Sequence, residues 1–418
     1  MKKIILITFF TILFSVSVLA DEPISGLYNE ITYDDALNSK QGIMLLQNNV
    51  AESEIYYDQL TEYEKKYYNE LENNIMSMMD GTSTYTFATN LTIEKGLTTA
   101  AAVYESIWNT FEVDISTFAF RPIYALTYLD KPQYFWIDIN NTSAGYGFEG
   151  YYPSTGLVKN FYITLKPNST TNSYFPDCYT SEEQVKSDYA DIINKADEII
   201  SNVPLGSTDW GKLNYYMNWF KDNCHYNTDI NTASKHAYLP TSALLYGTDD
   251  VNAPVCEGYS EALKILCNMS NIKSMCTETF YEQNGTTTGH KWNLININNK
   301  FYHCDPTWFD SYTSINSYRY FLTGSVNMAN YDKTQNHTIT YQMDFYAPEI
   351  SSTDYLNDIG INGYNILNID ENTVINKKDN VTLLRIISNI SSGTGKDING
   401  DGKININDVI KIQQLMFK

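Results

Sequence analysis

The chain has 418 residues, 43% of them hydrophobic, and a formal net charge of -21. It is too long for one small domain and too apolar for an intrinsically disordered protein. The acidity argues against a nucleic-acid partner, because phosphate backbones would repel the chain.

Residues 1–20 are predicted to be a cleaved secretory signal. Lys2 and Lys3 give a short basic start, an apolar run follows, and Val18 and Ala20 are the small residues expected before the cut. Cleavage removes two lysines and no acids, so the mature chain is still more acidic. No later apolar stretch is long enough to span a bilayer. We therefore expect a secreted, extracellular protein with no membrane association after signal cleavage.

Residues 21–205 alternate helical and strand-like segments, which predicts an N-terminal α/β region. Apolar and aromatic residues recur at helical spacing over Thr61–Met78 and Leu97–Phe111. Tyr134–Ile139 and Val158–Leu165 are rich in aromatic and β-branched residues, as strands are. The region is also rich in tyrosine. These rings are either an aromatic platform for sugars or ordinary core packing.

Residues 206–346 are predicted to form a second domain, in which helices come first and strands follow, an α+β pattern. The helices are Trp210–Cys224 and the apolar segment after Cys256. The strands are Ile272–Phe280, Lys291–Ile297 and Lys300–His303.

Cys256 stands at the start of a predicted helix, in the segment APVCEGYSEALKIL. Unpaired amides and the dipole at a helix N-terminus favour a thiolate over a thiol, so a cysteine there is a candidate nucleophile. We expect the small residues Gly258 and Ser260 to leave room for a substrate backbone. The alternative is a cysteine that only packs. Cys267 falls on the same helical face and is expected to be buried core.

A thiolate used for acyl transfer needs an imidazole as base and acid, and a carboxylate to orient that imidazole. His290 and Asp305 lie in two predicted strands joined by the turn Asn298–Asn299. In an antiparallel hairpin about that turn, they fall close to cross-strand positions. Each residue has an ordinary structural explanation alone, but their joint placement predicts a catalytic site.

The runs CEGYSEALKIL and GHKWNLININNKFYHCDPTW together resemble the transglutaminase-like superfamily, and so do NWFKDNCHYN and TSALLYG upstream. The resemblance implies a papain-like core with Cys256 as nucleophile, His290 as general base and acid, and Asp305 as the orienting residue. It also implies a second oxyanion donor upstream of the cysteine, beside the Cys256 amide. Ser242 and Tyr246 are the candidates for that donor.

Two neighbours of the predicted triad have other expected roles. Trp292 is expected to form a wall of the site. His303 is also a histidine and could therefore be considered as the base. Strand alternation places its side chain on the same face as that of Asp305, two positions away, so we expect it to be a neighbour of the triad.

Residues 347–365 are polar and weakly periodic, and they are predicted to link the second domain to a small C-terminal module, 366–418. The segment Asp397–Asp408 has the pattern of an EF-hand-like calcium loop, with Gly402 at its tight turn. Its oxygen ligands would be Asp397, Asn399, Asp401, the Lys403 carbonyl and Asp408. The alternative is a turn rich in Asn and Asp.

A second copy of this calcium-loop pattern begins 29 residues earlier. Its ligands would be Asn368, Asp370, Asn372, the Val374 carbonyl and Asp379. Amides replace two carboxylates and Thr373 replaces the glycine, so we expect weaker calcium binding. A short apolar helix is predicted after each loop, over Val381–Ile387 and Val409–Phe417.

This duplicated loop and helix resembles a type I dockerin. The resemblance implies an all-α module that binds calcium and docks onto a cohesin module of a scaffolding protein, as in a cellulosome. A scaffold of this kind can also hold the protein at a cell surface. The family's partner-choosing positions are Lys377 and Lys378 in one loop and Ile406 and Asn407 in the other. The residues at these positions differ between the two loops, which argues against two equivalent ways of docking onto the cohesin.

The sequence therefore predicts a secreted acyl-transfer enzyme that acts on protein or peptide amides and is tethered through its C-terminal module. Water as acceptor would make it a peptidase or amidase, and an amine would make it a cross-linking transglutaminase. The alternative is a non-catalytic module of the same fold that binds cell-wall or plant-wall polymers. Pairing of the six cysteines is left open.

Overall fold

A computed structural model describes residues 23–26, 29–38, 56–229, 232–283, 286–312, 315–332, 337–369, 372, 374–388 and 395–417. The predicted signal, residues 1–20, lies outside these ranges, as do Asp370 and Thr373 of the first calcium-type loop. The fold is a mixture of helices and antiparallel sheets, which confirms the α+β class.

Within the described residues the strands form two four-stranded antiparallel sheets, ordered β1-β3-β4-β2 and β5-β6-β7-β8. The strands are β1 Asn29–Thr32, β2 Tyr85–Thr92, β3 Thr142–Tyr152, β4 Leu157–Pro167, β5 Ser274–Gln283, β6 Thr286–Ile297, β7 Lys300–Cys304 and β8 Phe321–Thr323.

The helices alternate with these strands along the chain. They are α1 Tyr33–Asn38, α2 Glu62–Asn74, α3 Ala100–Phe111, α4 Ile115–Tyr124, α5 Glu182–Ser201, α6 Asp209–Asn223, α7 Cys256–Met269, α8 Pro306–Asp310, α9 Ser325–Tyr331, α10 Tyr355–Asp358, α11 Lys377–Ile387 and α12 Ile406–Met416.

The first sheet and helices α2 to α4 enclose an aromatic core. The helices predicted over Thr61–Met78 and Leu97–Phe111 are confirmed as α2 and α3, and Val158–Leu165 lies within β4. The strand predicted at Tyr134–Ile139 is wrong. That segment consists of short turns, with Phe135 and Trp136 buried in the core and Tyr134 partly buried against it. The aromatic and β-branched composition of this segment indicates burial. Buried turns have that composition as strands do.

The second sheet packs against α7 and forms the base of the candidate site. Asn298 and Asn299 both have positive φ, 55° and 63°, as a two-residue hairpin turn requires. The register that follows pairs Asn293 with Cys304, which confirms the predicted hairpin. Residues of the first half pack on this sheet, since the Lys291 ammonium donates to the Tyr128 carbonyl at 2.9 Å.

The segment 347–365 lies along the second sheet. Leu356 and Ile361 are fully buried, and the Asp358 carboxylate accepts hydrogen bonds from Lys300 at 3.0 Å and Tyr302 at 2.7 Å. This stretch therefore contributes core and polar contacts to the preceding domain.

Helices α11 and α12 pack together at the C-terminus, and each starts three or four residues earlier than predicted. Asn376 and Asn405 cap them through capping boxes completed by Asp379 and Asp408. Each capping box satisfies first-turn amides, so each helix begins at its cap and before its apolar run.

All six cysteines are free thiols, and Cys267 is buried core as predicted. In the part of the chain that the structure describes, no helix combines the length and apolar character needed to cross a membrane.

Candidate active site

Cys256 is the first residue of α7 and is half-buried. The helix begins here because Pro254 lacks an amide hydrogen and the backbone of Val255 is extended. Val255 is the N-cap and provides no side-chain hydrogen bond to the first turn. The thiol therefore sits at a helix N-terminus where backbone amides and the dipole favour negative charge.

Gly258 and Ser260 do not make room for a substrate, contrary to the prediction. A side chain at Gly258 would meet the Ser242 hydroxyl at 2.0 Å and the Ala237 carbonyl at 2.8 Å. Ser260 is buried, and its hydroxyl donates to the Cys256 carbonyl at 2.7 Å. Small residues are needed here because a neighbouring loop crosses close to the helix.

His290 on β6 and Asp305 directly after β7 are brought together. The Nε2 atom of His290 lies 2.7 Å from Oδ2 of Asp305, and both side chains are buried. Asp305 is also the N-cap of α8, where its Oδ1 accepts the Trp308 amide at 3.0 Å. The hairpin sets the distance between the two residues, and the cap fixes the carboxylate rotamer.

The ionisation of this pair favours an imidazolium next to a carboxylate. Burial alone would lower the pKa of His290, but the Asp305 charge and a hydrogen bond with Cys256 raise it to about 9. Burial alone would raise the pKa of Asp305, but His290 and His337 hold it well below its usual range. Since Nε2 of His290 contacts Asp305, the ring nitrogen left for Cys256 is Nδ1.

His337 extends the pair into a chain of four groups, and the sequence analysis missed it. Its Nε2 lies 2.8 Å from the same Oδ2 of Asp305, and its Nδ1 lies 3.1 Å from Oδ2 of Asp332. Ionised carboxylates only accept hydrogen bonds, so both ring nitrogens of His337 donate and the ring is an imidazolium. In agreement, the two carboxylates overcome the effect of burial and raise the pKa of His337.

The cluster His290, Asp305 and His337 also has the composition of a metal site, with its ligand atoms within 4.8 Å of one another. The imidazole to carboxylate contacts of 2.7 and 2.8 Å are ordinary charge-assisted hydrogen bonds. The cluster is therefore explained without an ion.

His303 is a neighbour of the pair, as predicted. Its Nδ1 accepts the Trp292 indole N–H at 3.0 Å, so that nitrogen is not available as a base. Burial and the adjacent His337 lower the pKa of His303 to about 3. Trp292 in turn stacks on the His290 ring, with centroids 5.6 Å apart, and forms a wall of the site.

Neither predicted oxyanion side chain is in place. The Ser242 hydroxyl is buried and donates to the Leu239 carbonyl at 2.7 Å, and the Tyr246 hydroxyl donates to Asp188. A different tyrosine, Tyr226, is within electrostatic range of Cys256. Burial and the charges of Cys256 and Asp305 raise the pKa of Tyr226, so its phenol stays protonated and can donate. The resemblance at NWFKDNCHYN contained this residue but did not distinguish it among 35 tyrosines.

The second calcium-type loop has a preformed oxygen-rich shape. Gly400 and Gly402 have positive φ of 76° and 82°, and the amides of both donate to Asp397 at 2.8 Å. Asp408 is buried and accepts the Ile398 amide at 2.7 Å. Backbone amides thus orient the first and last carboxylates of the loop, and the donor set suits a hard cation.

The first loop repeats this arrangement where it is described. Asp379 accepts the Ile369 amide at 2.8 Å, as Asp408 accepts that of Ile398. The Oδ1 atom of Asn368, at loop position 1, is buried without a hydrogen-bond partner among the described residues. A buried acceptor of this kind suits a bound cation.

No protein-family model matches this chain, and a search of curated proteins finds no match either.

Proposed function

We propose that the protein is a secreted cysteine-dependent acyl-transfer enzyme of the transglutaminase-like superfamily, with a papain-like core. The observation that carries this proposal is the buried 2.7 Å contact between His290 and Asp305, with the Cys256 thiol acting on the same imidazole. A nucleophile, a base and an orienting carboxylate in this order are what acyl transfer through a thioester requires.

The proposed reaction starts when the Cys256 thiolate attacks the carbonyl of a protein or peptide amide. The negative charge moves to the carbonyl oxygen, which the Cys256 amide stabilises. Collapse of this intermediate breaks the C–N bond, and His290 donates its proton to the leaving amine. Water or a second amine then attacks the thioester and passes a proton to His290. The C–S bond breaks as the product leaves, which regenerates the Cys256 thiolate beside protonated His290.

Tyr226 is the proposed second donor to the oxyanion. Its phenol is close enough to Cys256 and Asp305 for their charges to act on it, and it remains protonated over the physiological range. The variant Tyr226→Phe keeps the ring and removes the donor. We expect a fall in kcat of about 100-fold, typical for loss of one oxyanion donor, with KM little changed.

The enzymatic proposal is tested by incubating the full-length protein with a glutamine-containing protein and a labelled primary amine, with products identified by mass spectrometry. Incorporated amine indicates cross-linking, backbone cuts indicate peptidase activity, and deamidation alone indicates amidase activity. Cys256→Ala should abolish whichever product forms. Cys178→Ala is the matched control, since Cys178 is the other half-buried cysteine. Equal product from Cys256→Ala and the unmodified protein would exclude the proposed nucleophile.

We further propose that residues 366–418 form a dockerin that binds calcium and a cohesin module of a scaffold such as a cellulosome. Support comes from the matching hydrogen bonds to Asp379 and Asp408 and from the Asn368 Oδ1 atom, which has no hydrogen-bond partner in the described part of the chain. Bound calcium would supply positive charge that holds the loop carboxylates together.

A cohesin column tests this second proposal. Retention should require calcium and should be lost in the double variant Asp397→Ala plus Asp401→Ala. The matched control is Asp249→Ala, an exposed aspartate outside the module. Retention of the double variant in calcium-free buffer would refute calcium-dependent docking.

A further inference from the structure

A cavity of about 270 Å³ lies between the N-terminal region and the first turns of α7, the helix that begins with Cys256. One wall comes from residues such as Tyr124 and Tyr128, and the other from Tyr238, Glu257 and Glu261. Glu257 is the residue directly after the nucleophile, and the charge of Cys256 acts on the Tyr238 phenol. A group held here would therefore contact the residue that follows the nucleophile. We call this space the carboxylate cavity.

The interior of the carboxylate cavity has more negative than positive charge. Glu257 and Glu261 line it, and Glu278 lies behind Tyr124, whose hydroxyl donates to it. The nearby ammonium of Lys291 bonds to Glu261 at 2.6 Å. Burial and the neighbouring carboxylates raise the pKa of both Glu261 and Glu278 to about 7, despite the ammonium. Three carboxylates thus share the charge of one lysine.

Glu278 is a further buried carboxyl group, behind the Tyr124 side of the cavity. Its side chain is 1% exposed, and its Oε2 atom has no hydrogen-bond partner among the described residues. Its other oxygen accepts from Tyr124 and from the Gln342 amide, and both of these residues line the cavity. A buried carboxylate with one unsatisfied oxygen is costly unless a positive charge is near.

The walls favour an organic cation over a metal ion. Tyr124, Tyr128 and Tyr238 place aromatic rings around the space, and aromatic faces attract ammonium and guanidinium groups. The Lys291 ammonium already lies 3.3 Å from the centre of the Tyr128 ring. The volume is large for a bare ion and small for a polymer chain, but it suits one amino-acid side chain. Lys235 and Asp138, one residue of each charge, also line the cavity, and the Lys235 ammonium lies 6.0 Å from the centre of the Tyr238 ring.

We propose that the carboxylate cavity binds a cationic side chain, arginine or lysine, of the polypeptide substrate adjacent to the amide that Cys256 attacks. This inference rests on the proposed function, since it names the substrate class of the same site. It gives the N-terminal region a role, because that region supplies half of the cavity. The cation is a recognition element and takes no part in the bond changes.

The test measures binding to the full-length Cys256→Ala protein, so that no chemistry is needed. The ligands are Nα-acetyl-arginine amide and its neutral isostere Nα-acetyl-citrulline amide, titrated by calorimetry at low salt. Arginine is chosen because its guanidinium cannot act as the attacking amine. We expect arginine to bind at least ten times more tightly than citrulline, and we expect salt to weaken only the arginine complex.

Adding Glu257→Gln should reduce the preference to about threefold or less. Glu183→Gln, at an exposed carboxylate on α5, is the control and should leave the preference intact. Glu261→Gln gives a second reading if Glu257→Gln does not fold. Equal affinity for the two ligands, binding of neither, or a preference unchanged in both variants would overturn the proposal. Because the thiol is absent, these results are independent of whether the catalytic assay succeeds.

Discussion

Replacing His337 with glutamine should raise the pKa of His290 above its present value of about 9. Glutamine can still donate a hydrogen bond to Asp305, but it carries no charge. In the native protein, the His337 imidazolium competes with His290 for the Asp305 carboxylate and repels the protonated form of His290. Removing that charge leaves the whole carboxylate to His290, so its proton should be held more tightly.

The expected size follows from the distance between the two rings. Their centroids are 5.2 Å apart. Two unit charges at this distance repel by about 3 kcal/mol at an effective dielectric of about 20, equivalent to about 2 pKa units. Asp332 lies on the far side of His337 and offsets part of this repulsion. We therefore expect an upward shift on the order of 1 unit.

The measurement is a pH titration of ¹⁵N-labelled histidine side chains by NMR, which needs no substrate. The chain has five histidines, so the His290 signals can be assigned by substitution. His225→Gln, at an exposed histidine, is the control and should leave the His290 titration unchanged. An unchanged or lower midpoint in His337→Gln would mean that His337 is neutral, and the charge-sharing argument would be wrong.

Three further predictions concern stability. The pKa of His290 is raised from 6.5 to about 9, so its stabilising effect is present below pH 6.5 and is lost as the pH rises to 9. Urea titrations should show that the difference in unfolding free energy between the native protein and His290→Gln falls by about 3 kcal/mol over that range. A constant difference would contradict the raised pKa of His290. Asn214→Ala removes contacts of 2.8 Å to the Ile375 carbonyl and 2.6 Å to the Tyr318 hydroxyl. It should cost about 1–3 kcal/mol by urea denaturation, whereas exposed Asn223→Ala should cost little. Calcium at about 100 times its Kd should stabilise the chain by about 2.7 kcal/mol in calorimetry, and no response to chelation would argue against both loops.

The contact between His290 and Asp305 was predictable from the sequence because two local signals determine it. Asn298–Asn299 is a turn whose positive φ values specify a two-residue hairpin, and the turn sets the register of both strands. Asp305 before Pro306 marks the end of a strand and the start of a helix. Because neighbouring residues determine both the turn and the cap, the close approach of His290 and Asp305 follows from counting residues along the two strands.

His337 and Tyr226 could not be found in the same way. His337 follows Asp305 by 32 residues, in a polar stretch without periodicity, and only tertiary packing brings it to Oδ2. The role of Gly258 was misjudged for a related reason. The Ser242 hydroxyl that approaches it comes from another segment, and sequence spacing does not reveal such a crossing. Composition also misled at Tyr134–Ile139, because buried turns and strands use the same aromatic residues.

The contacts of the C-terminal module connect its proposed calcium loops to the preceding domain. The backbone of Ile375 bonds at both ends to the preceding domain, through its amide to Tyr318 at 3.2 Å and its carbonyl to Asn214 at 2.8 Å. Ile375 directly follows Val374, whose carbonyl is a proposed calcium ligand. At the other end, the Thr208 amide donates to the Met416 carbonyl at 2.9 Å. An ion bound in the first loop would therefore lie one residue from the contacts with Tyr318 and Asn214, so calcium binding should be coupled to the packing of the module on the preceding domain.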